Sequence, residues 1–188
     1  MIRWFQYAML IVRKDLRIEQ RTREITTTSA FFAALVSITA SVAMQSGPDT
    51  ATRVAPAVIW IATAFAAVLA VGKSWQRERE DSALDGLLVS PIHRSAIFAG
   101  KTIGISIFLL VVELIVLPIV ALLFSIDMLS VAPGMALIVA CALPGISSTG
   151  TLFCSMTVRT RARDLVFASV FFPLLLPTLI AAVAATRE

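Results

Sequence analysis

Five long apolar runs, separated by short polar stretches, set the pattern of this chain. They cover residues 25–44, 54–72, 102–124, 131–156 and 165–184. Each is close to the roughly 20 apolar residues that a helix needs to cross a bilayer. The period-two alternation of a membrane barrel strand is absent, so helices are the way these runs can span. Ahead of them, residues 2–24 read as a basic amphipathic helix. Phe5, Met9, Val12 and Leu16 share one stripe; Arg3, Gln6, Arg13, Arg17, Gln20 and Glu24 line another, with Leu10 as the exception. Such a helix is expected to lie in the membrane plane. The fold class predicted is an all-α membrane protein forming one domain over 1–188, with an in-plane N-terminal helix and five transmembrane helices.

The one long polar block, residues 73–101, lies between the second and third runs. From Trp75 to Val89, Ala83, Leu84, Leu87 and Leu88 make an apolar stripe, and Gln76, Arg77, Arg79, Glu80, Asp81 and Asp85 supply a wet side. Ser90-Pro91 is a helix start signal: Ser caps, and Pro fits the first helical position. This block is expected to be a docking helix through which a soluble partner acts on the membrane part. Apolar anchors ringed by charge suit an interface core and rim. The candidate docking residues are Glu78, Arg79, Glu80, Asp81, Leu84, Leu87 and Leu88, with Arg159, Arg161 and Arg163 of the basic loop 157–164 as a second contact. The bland alternative is an interfacial helix packed on its own bundle.

Inside the spans the polar residues differ in meaning. The first run carries Thr26, Thr27, Thr28, Ser29, Ser37, Thr39 and Ser41, which suit a helix facing other helices. Ala62, Ala66 and Ala70 form a small-residue face for close contact. Gly100 and Gly104 make a GxxxG, a weak signal. Pro144-Gly145, followed by Ser147, Ser148, Thr149 and Gly150, predicts a kink or an unwound turn, and Pro173 with Pro177 predicts another bend. The Ser147 and Ser148 hydroxyls are expected to satisfy the backbone groups that Pro144 frees. Glu113 stands mid-span. A carboxylate there costs about 2.5–3.5 kcal/mol on insertion scales, so it should face the bundle interior as a functional candidate or as a neutral hydrogen-bonding group.

Composition agrees with this picture. The chain is 58% hydrophobic and 15% charged, against about 25% charged residues in soluble domains. Its net charge of +4 follows topology and implies no nucleic-acid partner. Fourteen of the sixteen Lys and Arg fall in residues 1–24, 73–101 and 157–164. The positive-inside rule then places those segments, and the N-terminus, in the cytoplasm. Cys141 and Cys154 lie on one predicted helix, too far apart to bridge, and are expected to be buried thiols.

No site for bond-making chemistry is evident. Gly100-Lys101-Thr102 ends like a phosphate-binding loop but lacks the upstream glycine. The one histidine, His93, has no metal-binding neighbours in sequence, and it stands at the wrong level to activate Ser147 or Ser148. The chain is therefore read as a non-enzyme, with no catalytic, cofactor-binding or metal-binding residue assigned.

The segments EREDSALDGLLVSPIHRSAIFAGK (78–101), VVELIVLPIVALLF (111–124) and VRTRARDLVFASVFFPLLLP (158–177), with KDLRIEQRTRE (14–24), resemble the heme exporter protein B family. That family supplies the permease subunit of the cytochrome c maturation ABC transporter. The resemblance covers nearly the whole chain and is most specific in the docking block. It implies a type-2 ABC exporter permease of the bacterial inner membrane, with a separate ABC ATPase subunit and other maturation membrane subunits as partners. A heme chaperone, and either a second permease copy or a second kind of membrane subunit, would complete the assembly. ATP would sit on the ATPase and heme on other subunits. Hydrolysis would then drive heme delivery or release of the loaded chaperone. The family normally has six spans, and five are read here. The alternatives are a permease of this architecture with another cargo, such as a lipid, glycan or drug, and a membrane scaffold that needs no ATPase.

Overall fold

A computed structural model describes residues 2–43, 48–80, 86, 89–90, 92–157 and 163–187. The described elements are six helices and no strands: α1 (Ile2–Thr22), α2 (Glu24–Ala43), α3 (Pro48–Glu80), α4 (Arg94–Phe124), α5 (Met128–Thr157) and α6 (Arg163–Arg187). Helices α2 to α6 each hold a stretch long and apolar enough to cross a membrane: Glu24–Ala43, Arg53–Glu78, Arg94–Phe124, Val131–Thr157 and Ser169–Arg187. The expected all-α membrane fold is what forms. Because the spans alternate in direction, α1, the end of α3, the start of α4, the end of α5 and the start of α6 share one end of the bundle.

Helix α3 is the central element. It touches α2, α4, α5 and α6. Ala62, Ala66 and Ala70 are fully buried on it, as their spacing predicts, joined by Ala55 and Ala67. Small side chains let neighbouring backbones approach where no hydrophobic effect drives helices together. Larger groups fill the rest. Trp60 is buried and its Nε1 donates to Thr186 Oγ1 of α6 at 3.0 Å. Phe65 of α3 meets Phe32 of α2 and Phe172 of α6, with ring centroids 5.5 and 5.1 Å apart. Outward, Phe31, Leu114, Leu122, Leu137 and Ile180 stand exposed. So much open apolar surface suits a protein whose solvent is hydrocarbon.

Three local expectations change. Residues 48–53, read as loop, are the first turns of α3, with Pro48 at a helix start where its missing N–H costs nothing. The helix of the second span does not stop at Gly72: α3 runs on unbroken to Glu80, because one glycine among good helix formers does not end a helix. Its 33 residues extend about 50 Å, well beyond a hydrocarbon core of about 30 Å. The next helix starts at Arg94 with His93 as its uncapped N-terminal neighbour, later than Ser90-Pro91 suggests. It then continues to Phe124 as one element.

The proline signals also resolve differently. Helix α5 contains Pro133 and Pro144, and α6 contains Pro173 and Pro177, yet both are continuous. No unwound turn follows Pro144. Ser148 Oγ donates to Gly145 O at 3.0 Å, whereas Ser147 is buried with no hydrogen-bond partner. Gly150 supplies the packing reason for a small residue here: a Cβ on it would come within 2.8 Å of Val71 Cγ2 on α3. Cys154 is buried, but Cys141 is exposed on the same helix, and neither is in a disulfide.

Candidate functional site

A buried charge cluster joins four helices at the end of the bundle where α1 lies. It begins with α1 itself. The bundle-facing side of α1 is Ala8, Ile11, Val12, Asp15 and Glu19. That side is rotated from the expected stripe, since Phe5 and Met9 are exposed. Two causes are visible. Gly100 of α4 admits α1: a Cβ there would lie 2.8 Å from Ala8 O and from Ile11 Cβ. Asp15 and Glu19 also turn inward, toward cations on α3 and α4.

Lys101 is the centre. It is 2% exposed, and its ammonium lies 2.8 Å from Asp15 Oδ2 of α1 and 2.6 Å from Glu78 Oε1 of α3. Glu78, itself 3% exposed, also accepts from Lys14 of α1, which lies 3.4 Å from Asp15 Oδ1. This inner group holds two positive and two negative charges. Burial opposes the Lys14 charge, but the hydrogen bond to Glu78 and the fields of Asp15 and Glu78 outweigh it, so its pKa lies above the usual lysine value. A cavity of about 20 Å³ lined by Asp15, Ser74, Arg77, Glu78 and Lys101 adjoins it, with Glu78 Oε2 free of any hydrogen bond. That volume suits one water molecule.

An outer layer extends the cluster to α2. Arg77 Nη1 lies 3.0 Å from Glu19 Oε2, and its Nη2 lies 3.0 Å from Thr22 Oγ1 and 3.1 Å from Glu24 Oε2. Lys73 pairs with Glu24. Glu19 Oε1 accepts from the Thr26 backbone N–H at 2.7 Å, tying α1 to the first turn of α2 across Arg23, the left-handed residue (φ 52) at which the chain turns. Nearer the start of α1, Trp4 Nε1 donates to Ser95 Oγ at 2.9 Å. Helix α1 is thus fastened along its length to the ends of α3 and α4, the two helices that flank residues 81–93.

A second buried polar site lies mid-span, in the apolar part of α4. Glu113 of α4 is 1% exposed and faces the interior, as its position predicts. Thr63 of α3 lies 2.6 Å from Glu113 Oε2 and 2.9 Å from Ile59 O, so one hydroxyl proton stands between two acceptors. Among the described residues, Glu113 Oε1 has no partner. The carboxyl forms part of the wall of an apolar groove of about 700 Å³ between α3, α4 and α5, which includes Ile59, Leu110, Leu117 and Met135.

The docking residues fare unevenly. Glu78 does not present a docking surface: its carboxylate is buried and held by Lys14 and Lys101. Arg79 and Glu80 belong to the last turn of α3 and Arg163 to the first turn of α6, described by backbone only. Asp81, Leu84, Leu87, Leu88, Arg159 and Arg161 lie outside the described residues. Near them, Val89 is 88% exposed and His93 is exposed. Among the described residues, no three His, Cys, Asp or Glu side chains group as a metal site.

Motif and periodicity alone assign no site to Lys14, Asp15, Glu19 or Lys101. A signal for them exists. Asp15 and Glu19 are four apart in an otherwise basic helix, in register with Ala8, Ile11 and Val12. Lys101 directly follows Gly100 at the head of an apolar run.

Comparison with known proteins adds a likeness over nearly the full length. The family described as "CcmB protein" matches residues 6–188. Heme exporter protein B of Bradyrhizobium diazoefficiens is 26% identical over 181 residues, 94% of this chain and 79% of that protein. Heme exporter protein B of Haemophilus influenzae is 23% identical over 172 residues, 90% of this chain and 76% of that protein.

Proposed function

The chain belongs to the CcmB protein family, and from that premise we propose that it is the multi-pass permease of a heme export system serving cytochrome c maturation. The observation that carries the reading is the family match over residues 6–188, on a chain whose described residues hold five helices apolar enough to span a membrane. In this reading the permease is not catalytic. A separate ABC ATPase hydrolyses ATP and drives heme delivery or the release of a heme-loaded chaperone, with other maturation subunits in the same inner membrane.

The ATPase docks at the end of the bundle where Lys and Arg concentrate, which the positive-inside rule assigns to the cytoplasm. The connections between Glu80 and Arg94 and between Thr157 and Arg163 both open there. Exposed Val89 is in keeping with an apolar contact on the first of them. The charge cluster carries the resulting movement: a push on residues 81–93 acts on α3 and α4, and through Glu78, Lys101 and Arg77 on α1 and α2.

The function is tested by a heme stain of c-type cytochromes in a strain deleted for the gene, with and without the gene restored. Loss and recovery of mature cytochromes are expected; normal cytochromes in the deletion strain would overturn the reading. Docking is tested separately. Replacing Leu84 and Leu87 by Asp should abolish co-purification of the ATPase while leaving membrane insertion intact. For topology, Cys141 is first replaced by Ser. An impermeant thiol reagent should then label Asp127→Cys but not His93→Cys in intact cells.

A further inference from the structure

We propose that the outer face of α1 binds the phosphate groups of anionic phospholipids. The inference rests on the in-plane, cytoplasmic placement of α1 and names the lipid chemistry that placement selects. Its basis is how the charges of α1 are sorted. Both acidic residues of the helix, Asp15 and Glu19, and Lys14 are spent inward, in the cluster with Glu78, Lys101 and Arg77. The arginines are not. Arg3, Arg13, Arg17 and Arg21 are all exposed, and among the described residues none of them makes an ion pair. Arg13, Arg17 and Arg21 follow one another at four-residue steps, one helical turn of about 6 Å each. With Arg3 they form a row nearly the length of the helix.

The apolar positions choose between a lipid surface and a protein surface. Phe5 and Met9 are exposed, at 58% and 47%, and lie on the flank between the bundle-facing side and the arginine row. With about 100° per residue, that flank is about 80° round the helix from Arg13 and Arg17. Going round α1 from Phe5 and Met9, a partner therefore meets hydrocarbon first and then cationic charge, with Leu10, 59% exposed, as the apolar side chain within the arginine row. A leaflet of anionic lipid offers those two chemistries in that order, acyl chain below phosphate. Guanidinium groups suit phosphate because their planar donors engage two oxygens at once.

The test uses the purified full chain in zwitterionic detergent, titrated with phosphatidylglycerol or phosphatidylcholine. The readouts are thermal stabilisation and the lipid retained on native mass spectrometry. The chain should be stabilised more by phosphatidylglycerol and should retain it preferentially, with the preference falling at high salt. In R13Q/R17Q/R21Q the preference should fall at least roughly fivefold, about the effect of one cationic residue near an anionic surface. R13K/R17K/R21K should keep most of it, and its response separates lost lipid binding from lost folding. Equal responses to the two lipids in the unaltered chain would overturn the proposal. So would a glutamine variant that keeps the preference but no longer co-purifies with the ATPase, because the row would then be a protein-docking face. With Cys141 replaced by Ser, depth of a spin label at Met9→Cys reports the in-plane placement independently: a label in the acyl region without lipid preference sinks this proposal alone.

Discussion

Two buried polar sites in this bundle solve the same problem in opposite ways. At the end where α1 lies, Lys101 and Glu78 are nearly as buried as any apolar side chain, yet each touches two opposite charges. Mid-membrane, Glu113 is equally buried and has one hydroxyl for company. Burying an ion is costly unless partners restore what water gave it. The cluster therefore holds its charge by pairing, while Glu113 is suited to a neutral, proton-carrying form. The cluster's charges come from α1, α2, α3 and α4, so it can act as a joint. Glu113 bridges α3 and α4 alone, as a fastening inside the bundle.

The contrast is broken most severely at Lys101. K101M leaves Asp15 and Glu78 with one buried cation fewer. Its cost should be about 3–5 kcal/mol, read as a large fall in the melting temperature of the detergent-solubilised protein. In K101M/E78Q, Lys14 and Asp15 still balance each other, and most of the stability should return. Failure of the second change to rescue the first would deny that the pair is coupled.

Next comes the fit of α1. G100V should cost about 1–3 kcal/mol by overpacking, since the new Cβ meets the Ala8 carbonyl, a backbone atom. Protease exposure of α1 measures it. A variant with α1 as protected as before would show that close approach at Gly100 is not needed.

Smaller effects separate Glu113 from the cluster. T63V should cost about 1 kcal/mol, the worth of one hydrogen bond. E113Q should be close to neutral, because an amide can donate as a protonated carboxyl does. A pH-dependent transport rate that E113Q abolishes would instead give Glu113 a proton-linked role. The smallest change is K73A. Its half-exposed pair with Glu24 should contribute less than about 1 kcal/mol, and the loss should fade as salt is raised.

The same contrast explains what could be read from the chain. Glu113 is conspicuous because apolar residues surround it, and the spacing of Ala62, Ala66 and Ala70 gives their face directly. Asp15, Glu19 and Glu78 sit among other charges, where the ordinary reading is a solvated face. Only the close approach at Gly100, together with partners far apart in sequence, turns them inward. Gly72 and Pro144 read as breaks, but neighbouring helix formers and packing on α3 carry the helices through. The docking stripe of Leu84, Leu87 and Leu88 remains a matter of periodicity.

The central claim is that the charge cluster passes movement from the docking segment into α1 and the spans. The direct measurement is cytochrome c maturation alongside ATP hydrolysis in an assembled complex carrying K101M/E78Q. The account predicts a stable complex that still hydrolyses ATP but no longer yields mature cytochromes c. A stable complex that matures them at the normal level would show that the cluster holds the fold together and transmits nothing.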